Sequence, residues 1–254
     1  MGEWSKKIGE HGEDISKKLL EIIGWNTPQK GIDIPCMKGS EHKLGKGDRQ
    51  KHGMDFLHYH KSPLFNHTLQ FACISSKCTG NGYPTNPVSD FKSHLRELET
   101  LIDCFSVSEL CRSIKSNSSG VIRTQFAGVL IWLHDTTASD AYDDLLSKVE
   151  NIRLSGELEV NHPVFLIDNQ QANFLFDCDI YMQLSFPTHQ KSFFYQKSGN
   201  NNSSDKSHKS SGHILPLEMI TSGTLIYRAE SSNNDVSIVF CIFWPILNTH
   251  SGTR

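Results

Sequence analysis

The sequence predicts an α/β protein with a mixed central sheet flanked by helices and a strand-rich C-terminal extension. Helical and alternating apolar patterns succeed one another along the N-terminal half, and the order helix, hairpin, helix, strand, helix, strands suits a single mixed sheet. The 254 residues, 37% of them apolar, suffice for one sizeable core or two small ones. We expect a first unit over residues 1–120 and an extension over 121–254. The extension would complete the sheet and carry a mobile loop at 190–212, within one continuous domain.

Ile8, Ile15, Leu19, Ile22 and Ile23 recur at helical spacing with Lys17 and Lys18 on the other face, which predicts a helix over residues 5–23. Gly24 follows where a left-handed cap is wanted, and Trp25 is placed to fold back on the last turn. Residues 26–52, punctuated by Pro28, Gly31, Pro35, Gly39, Gly45 and Gly47, read as a long irregular connection apart from a short stretch at 32–36. GMDFLHYH and LQFACISSK, joined by a turn at Ser62-Pro63, read as a β-hairpin.

Asn86-Pro87 opens a second helix as cap and first helical residue. Val88, Phe91, Leu95, Leu98 and Ile102 form its buried stripe, with Lys92, Arg96 and Glu99 pointing elsewhere. A short helix over 108–114, the strand VIRTQFAGVLIWL and a helix over 137–152 follow. HPVFLID, NFLFDCDIYMQLSF, GTLIYRA and VSIVFCIFW all read as strands, the last either central or a sticky edge. Ser, Asn, Gly and Lys accumulate across 190–212, whose second half has too little apolar surface to order itself.

Several functions are disfavoured. The longest apolar run, residues 236–247, falls short of the ~20 residues of a membrane span and contains Pro245. The opening MGEWSKKIGEHGEDI lacks the apolar stretch of a secretory signal, so a cytoplasmic location without a membrane partner is expected. No G-x-S-x-G elbow, G-x-G-x-x-G fingerprint or Walker lysine loop occurs. The seven cysteines (36, 73, 78, 104, 111, 178 and 241) show no C-x-x-C pair and no ligand-like histidine spacing; free buried thiols are expected, and no zinc site.

The formal charge of -3 argues against a protein that coats nucleic acid over its whole surface. Residues 26–61 and 190–213 nevertheless each carry a local excess of three positive charges. Nucleic-acid contact would therefore be local and salt-sensitive, with Lys43, Lys46, Arg49, Lys51 and His52 as the candidate phosphate contacts. Phe193, Phe194 and Tyr195 are either core residues or stacking platforms for unpaired bases.

Glu13 on the first helix, Asp55 on the first hairpin strand and Lys77 at the end of the second stand out by type and spacing. If Lys61 faces Leu69, antiparallel register puts Asp55 opposite Ser75 and on the face of Lys77, with His58 and His60 on the other face as structural residues. Two carboxylates and a lysine so arranged suit metal-assisted phosphodiester hydrolysis, in which Mg²⁺ takes one or two carboxylates plus waters and phosphate oxygens. Asp55 and Lys77 could equally form a surface ion pair contributing about 0–1 kcal/mol.

GEHGEDISKKLLEIIGW, GMDF and CISSK resemble the opening helix, the metal-binding Asp strand and the (D/E)-X-K strand of the PD-(D/E)XK nuclease superfamily. The resemblance implies a restriction-endonuclease-like core over 1–120, with Asp55 as central metal ligand, Glu13 (or, less closely, Glu10) as helix carboxylate and Lys77 as catalytic lysine. It also implies Mg²⁺ or Mn²⁺ as cofactor and DNA or RNA as substrate. The position two before Lys77, normally acidic, is Ser75, so either Glu13 compensates or the fold serves as a scaffold that has lost catalysis. More narrowly, MGEWSKKIGEHGE followed by HGMDF resembles the nuclease-like subunit of a two-gene bacterial anti-phage defence system. That likeness implies a second protein subunit as partner.

Overall fold

The computed structural model describes residues 3–26, 28–43, 47–136, 143–152, 160–195 and 210–243. Helix α1 (Glu3–Ile22) ends as its sequence predicts. Gly24 takes φ +79°. Its N–H donates to the Glu21 carbonyl at 3.0 Å and the Trp25 N–H to that of Leu20 at 2.8 Å, the paired bonds of a Schellman cap. Glycine is required for a second reason: a Cβ at position 24 would lie 1.7 Å from the His213 carbonyl oxygen. Trp25, fully buried, stacks on His58 with centroids 4.8 Å apart and donates its Nε1–H to the Leu215 carbonyl at 2.9 Å.

Strands β1 (Gln29–Pro35), β2 (Lys51–Lys61), β3 (Thr68–Thr79), β4 (Arg123–His134) and β5 (Val164–Ile167) form one mixed sheet in that order. The first three run antiparallel; β4 and β5 join in parallel. Lys61 pairs with Leu69, the register the hairpin argument needs. Strand β1 amends the reading of 26–52 as irregular. As an edge strand it is mostly exposed, and Gly31 at φ +65° breaks its alternation, so the period-2 signal is weak.

Each face of the sheet covers its own core. Leu69, Phe71 and Cys73 of β3 pack towards α2 (Val88–Ser106) and α3 (Glu109–Ser116). Ala72 and Ile74 pack towards α1 and the C-terminal elements. Helix α2 starts one residue later than expected, with Pro87 in the cap position and no side-chain cap bond. Glu99 does not point outward: it is buried, accepts the Asn161 N–H at 2.7 Å and bonds His162 Nδ1 at 2.9 Å.

Two further segments differ from expectation. NFLFDCDIYMQLSF lies in a helix, α5 (Asn169–Ser185), rather than a strand. Its buried residues Ala172, Leu175, Cys178 and Met182 keep helical spacing, but the exposed Ile180, Tyr181 and Leu184 make the segment apolar all round and hide the period. Asp168 caps it, accepting the Gln171 N–H at 2.9 Å, while its other oxygen takes the Leu145 and Leu146 N–H groups. Of the helix expected over 137–152, only α4 (Leu146–Val149) forms among the described residues; 137–142 lie outside them.

A second, antiparallel sheet has the order β7 (Ser211–Gly212), β6 (Gln190–Phe194), β8 (Thr224–Glu230), β9 (Val236–Ile242). The segment expected to be a loop at 190–212 thus begins and ends in strands; residues 196–209 lie outside the described set. Phe193 and Tyr195 are buried core residues, which leaves them no face for a base. β9 is the edge, with Val236, Ile238, Phe240 and Ile242 exposed along one face. Among the described residues no helix is long and apolar enough to cross a membrane.

His58 and His60 are structural, as expected, and buried beside Trp25. Burial pushes their pKa values down to about 3 and about 4. The unfolded chain titrates these groups near 6.5, so between about pH 6.5 and pH 4 it binds more protons than the folded one. Their neutral-state stability is therefore complete above about pH 6.5 and is lost on acidification, by up to about 1.4 kcal/mol per group per pH unit. Urea melts across that range should show the decline, and a His58→Phe/His60→Leu double variant should make it shallower, His52 and His94, whose pKa values are also lowered, keeping part of the slope.

Candidate active site

The β2–β3 ladder ends at the pair Phe56–Ile74, and Asp55 stands at the next position. Its Oδ2 accepts the Ser76 N–H at 2.7 Å and the Ser75 hydroxyl at 3.4 Å. The carboxylate thereby takes an amide of β3 at the point where the ladder stops. The strand also twists here. Met54 packs into the α2-side core and Phe56 into the α1-side core, although residues two apart on a regular strand share a face. Gly31, level with Asp55 in the β1–β2 register, supplies the left-handed backbone opposite. Asp55 is half-buried as a result.

Lys77 lies on the α2 side, its Nζ 3.8 Å from Glu97 Oε2 of α2. His94 Nδ1 stands 4.0 Å from the same oxygen, and its ring meets that of Trp132 edge-on at 4.9 Å. Burial, reinforced by the Lys77 ammonium, holds the His94 imidazole below its ordinary pKa, so it is neutral near pH 7. On the opposite side, Ser16 of α1 bonds Ser76 Oγ at 2.8 Å, and Gly12 packs so closely on Cys78 that a Cβ there would lie 2.2 Å from the cysteine's. Glu13, beside Gly12, pairs with Lys30 of β1 at 2.9 Å.

The structure therefore joins Asp55 to Ser75 and places Lys77 two residues along the same strand, while α1 brings Glu13 to Lys30. Among the described residues no hydrogen bond or ion pair links Asp55 to Glu13 or to Lys77; the lysine's partner is Glu97. Glu10 points to solvent and pairs with Lys6. Of the proposed phosphate contacts, Lys43 and Lys51 are exposed and paired with Asp48 and Asp33, Arg49 donates to the Lys51 carbonyl, and Lys46 lies outside the described residues. His52 is fully buried against His42, which removes it from any phosphate-binding surface. Sequence reasoning missed Glu97, Lys30 and the Ser16–Ser76 contact. The spacing of Glu97 from the buried Leu98 and Leu101 put it on the α2 flank, but only the packing of α2 on β3 shows that Lys77 meets it.

Residues 1–171 match the GAPS4 protein PD-(D/E)XK nuclease domain family. The chain belongs to that family. Comparisons with curated proteins and with solved structures return no match. Membership of the GAPS4 nuclease family makes the α/β sheet described above a PD-(D/E)XK fold and places the chain in an anti-phage system. PD-(D/E)XK nucleases generally use divalent metals, and the donor set here fits a hard cation at its lower bound. Among the described residues both bonds to the Asp55 carboxylate go to Oδ2, leaving Oδ1 as a donor, with the Ser75 hydroxyl beside it. Mg²⁺ commonly needs one or two carboxylates, with waters and phosphate oxygens filling the remainder.

Proposed function

We propose that this GAPS4-family chain is a Mg²⁺- or Mn²⁺-dependent nuclease that hydrolyses the phosphodiesters of DNA or RNA in the cytoplasm, working with a second protein subunit. The observation that supports this most is the Asp55 carboxylate, held by the Ser76 N–H at the end of the β2–β3 ladder with Ser75 and Lys77 following on β3. A bound divalent cation neutralises charge developing on the phosphate and makes water a better nucleophile. Asp55 would hold that cation, with Glu13 as the second carboxylate once Lys30 turns to the substrate phosphate. Lys77 would orient the attacking water through its ammonium protons. Strand alternation puts Lys77 on the α2 side with Phe71 and Cys73, where Glu97 pairs with it and would add negative charge that Ser75 does not supply.

Lys77→Met is expected to lower the cleavage rate by about 10²–10⁴-fold, the usual contribution of a positioned proton-handling group. Its melting temperature should stay close to wild type, because the Lys77–Glu97 pair is partly exposed and contributes little. Single-turnover cleavage alongside thermal melts checks both.

Ser75 favours a second reading, in which the fold is a scaffold for a catalytic partner. That reading requires Lys77→Met to leave activity of the two-protein complex intact. Co-expression with the neighbouring gene's product followed by size-exclusion chromatography tests the partner itself.

A further inference from the structure

The α2 face of the sheet carries a second cluster, apart from Asp55 and Lys77. Cys36 follows β1, His42 lies in the β1–β2 connection, His52 is in β2, and Cys104 is in α2. His42, His52 and Cys104 are buried and Cys36 half-buried. One ligand atom from each lies within 4.8 Å of all the others. His42 Nδ1 is 3.5 Å from Cys36 Sγ, 3.4 Å from Cys104 Sγ and 3.4 Å from His52 Nε2.

Hydrogen bonding does not explain this geometry. A ring nitrogen carries at most one proton or one in-plane lone pair, yet three atoms crowd His42 Nδ1, and its 3.4 Å approach to His52 Nε2 exceeds the usual 2.7–3.2 Å range for N–H donors. A coordination tetrahedron does explain it. With metal–sulfur bonds of about 2.3 Å and metal–nitrogen bonds of about 2.05 Å, the edges are about 3.6 Å between sulfur and nitrogen and about 3.3 Å between nitrogens, within about 0.2 Å of the three distances here. Two outer groups are also placed as they are around metal ligands. The Met37 N–H points to Cys104 Sγ at 3.3 Å, and the Asp103 carboxylate lies 3.8 Å from His42 Nε2, the nitrogen left over when Nδ1 binds. His52 Nδ1 faces away from the cluster and is buried without a partner, so Nε2 is the atom it offers.

We propose that Cys36, His42, His52 and Cys104 bind a structural zinc ion. Two thiolates and two imidazoles in a closed tetrahedron suit Zn²⁺ above other divalent metals and leave no open position for substrate. The ion pins the β1–β2 connection, which carries Lys43 and Arg49, onto α2, adding to the Lys38–Asp103 ion pair at 3.3 Å. The seven cysteines are free thiols, as expected, and the ion gives two of them, Cys36 and Cys104, a role that their sequence spacing does not signal. The ligand spacing, with five, nine and fifty-one intervening residues, has no compact sequence signature because the fourth ligand comes from a different element.

The test is metal analysis of the full-length chain purified without chelators. About one zinc per chain is expected in wild type and in Asp55→Asn, falling below about a tenth in a Cys36→Ser/Cys104→Ser double variant. Since that variant could fail to fold, wild-type protein stripped of metal and refilled with Co²⁺ supplies an independent readout. It should show visible bands of tetrahedral cobalt with a thiolate charge-transfer band, and zinc should displace them. Wild type that neither carries zinc nor gives the thiolate–cobalt spectrum overturns the proposal. Zinc lost in Asp55→Asn but retained in the double cysteine variant overturns it too, by moving the metal to the nuclease site.

Discussion

Asp55→Asn is expected to abolish nucleic-acid degradation, by at least about 10²-fold, without unfolding the protein. The amide oxygen of asparagine can still accept the Ser76 N–H that Asp55 holds at 2.7 Å, so the end of the β2–β3 ladder is preserved. What disappears is the negative charge that a hard cation needs, and several kcal/mol of charge stabilisation in the transition state correspond to two or more powers of ten in rate. Asp55→Ala should be equally inactive and also less stable, by about 1–3 kcal/mol, because it leaves a half-buried amide without its acceptor. Rates from single-turnover cleavage and stabilities from urea melts separate the two effects. Equal activity in wild type and Asp55→Asn would remove Asp55 from the chemistry.

Trp25→Ala should be the most destabilising single change in the chain, costing about 3–5 kcal/mol, as for other large buried aromatics. The indole is fully buried, stacks on His58 and donates to the Leu215 carbonyl. Its removal opens a cavity and orphans a carbonyl at the same time. Trp25→Phe retains a ring over His58 but loses the hydrogen bond, so about 1–2 kcal/mol is expected from that part. The comparison bears on organisation, because Trp25 lies within the residues that match the nuclease family whereas Leu215 lies beyond them. In equilibrium denaturation a Trp25→Phe loss of about 1–2 kcal/mol, the hydrogen bond to Leu215, would show that the C-terminal elements stabilise the nuclease unit. A loss under about 1 kcal/mol would show that they do not.

The elements that sequence reasoning placed well have local causes. The α1 stop at Gly24 follows from one left-handed residue, and the hairpin register follows from its length and its apolar faces. Those it misplaced depend on distant contacts. Helix α5 is apolar on its exposed side, so its period was invisible until Asp168 and the α4 backbone showed where it begins. Glu99 reads as a surface residue until Asn161 and His162, more than sixty positions away, supply its partners. Candidate site residues follow the same pattern. Asp55, Ser75 and Lys77 are legible because a hairpin brings near neighbours together. Glu97 and the Cys36–His42–His52–Cys104 cluster are not, because α2 meets the strands only in the folded chain.

The central claim, that Asp55 and Lys77 form the working centre of a metal-dependent nuclease, is tested most directly by incubating purified protein with plasmid, linear DNA and total RNA. The protein should be assayed alone and with the proposed partner subunit, in Mg²⁺ and in EDTA, as wild type, Asp55→Asn and Lys77→Met. The expected result is degradation of at least one substrate by wild type in Mg²⁺ alone, lost in EDTA and in both variants. Cleavage that persists in EDTA, or that the wild-type complex and both variants perform equally, would contradict it.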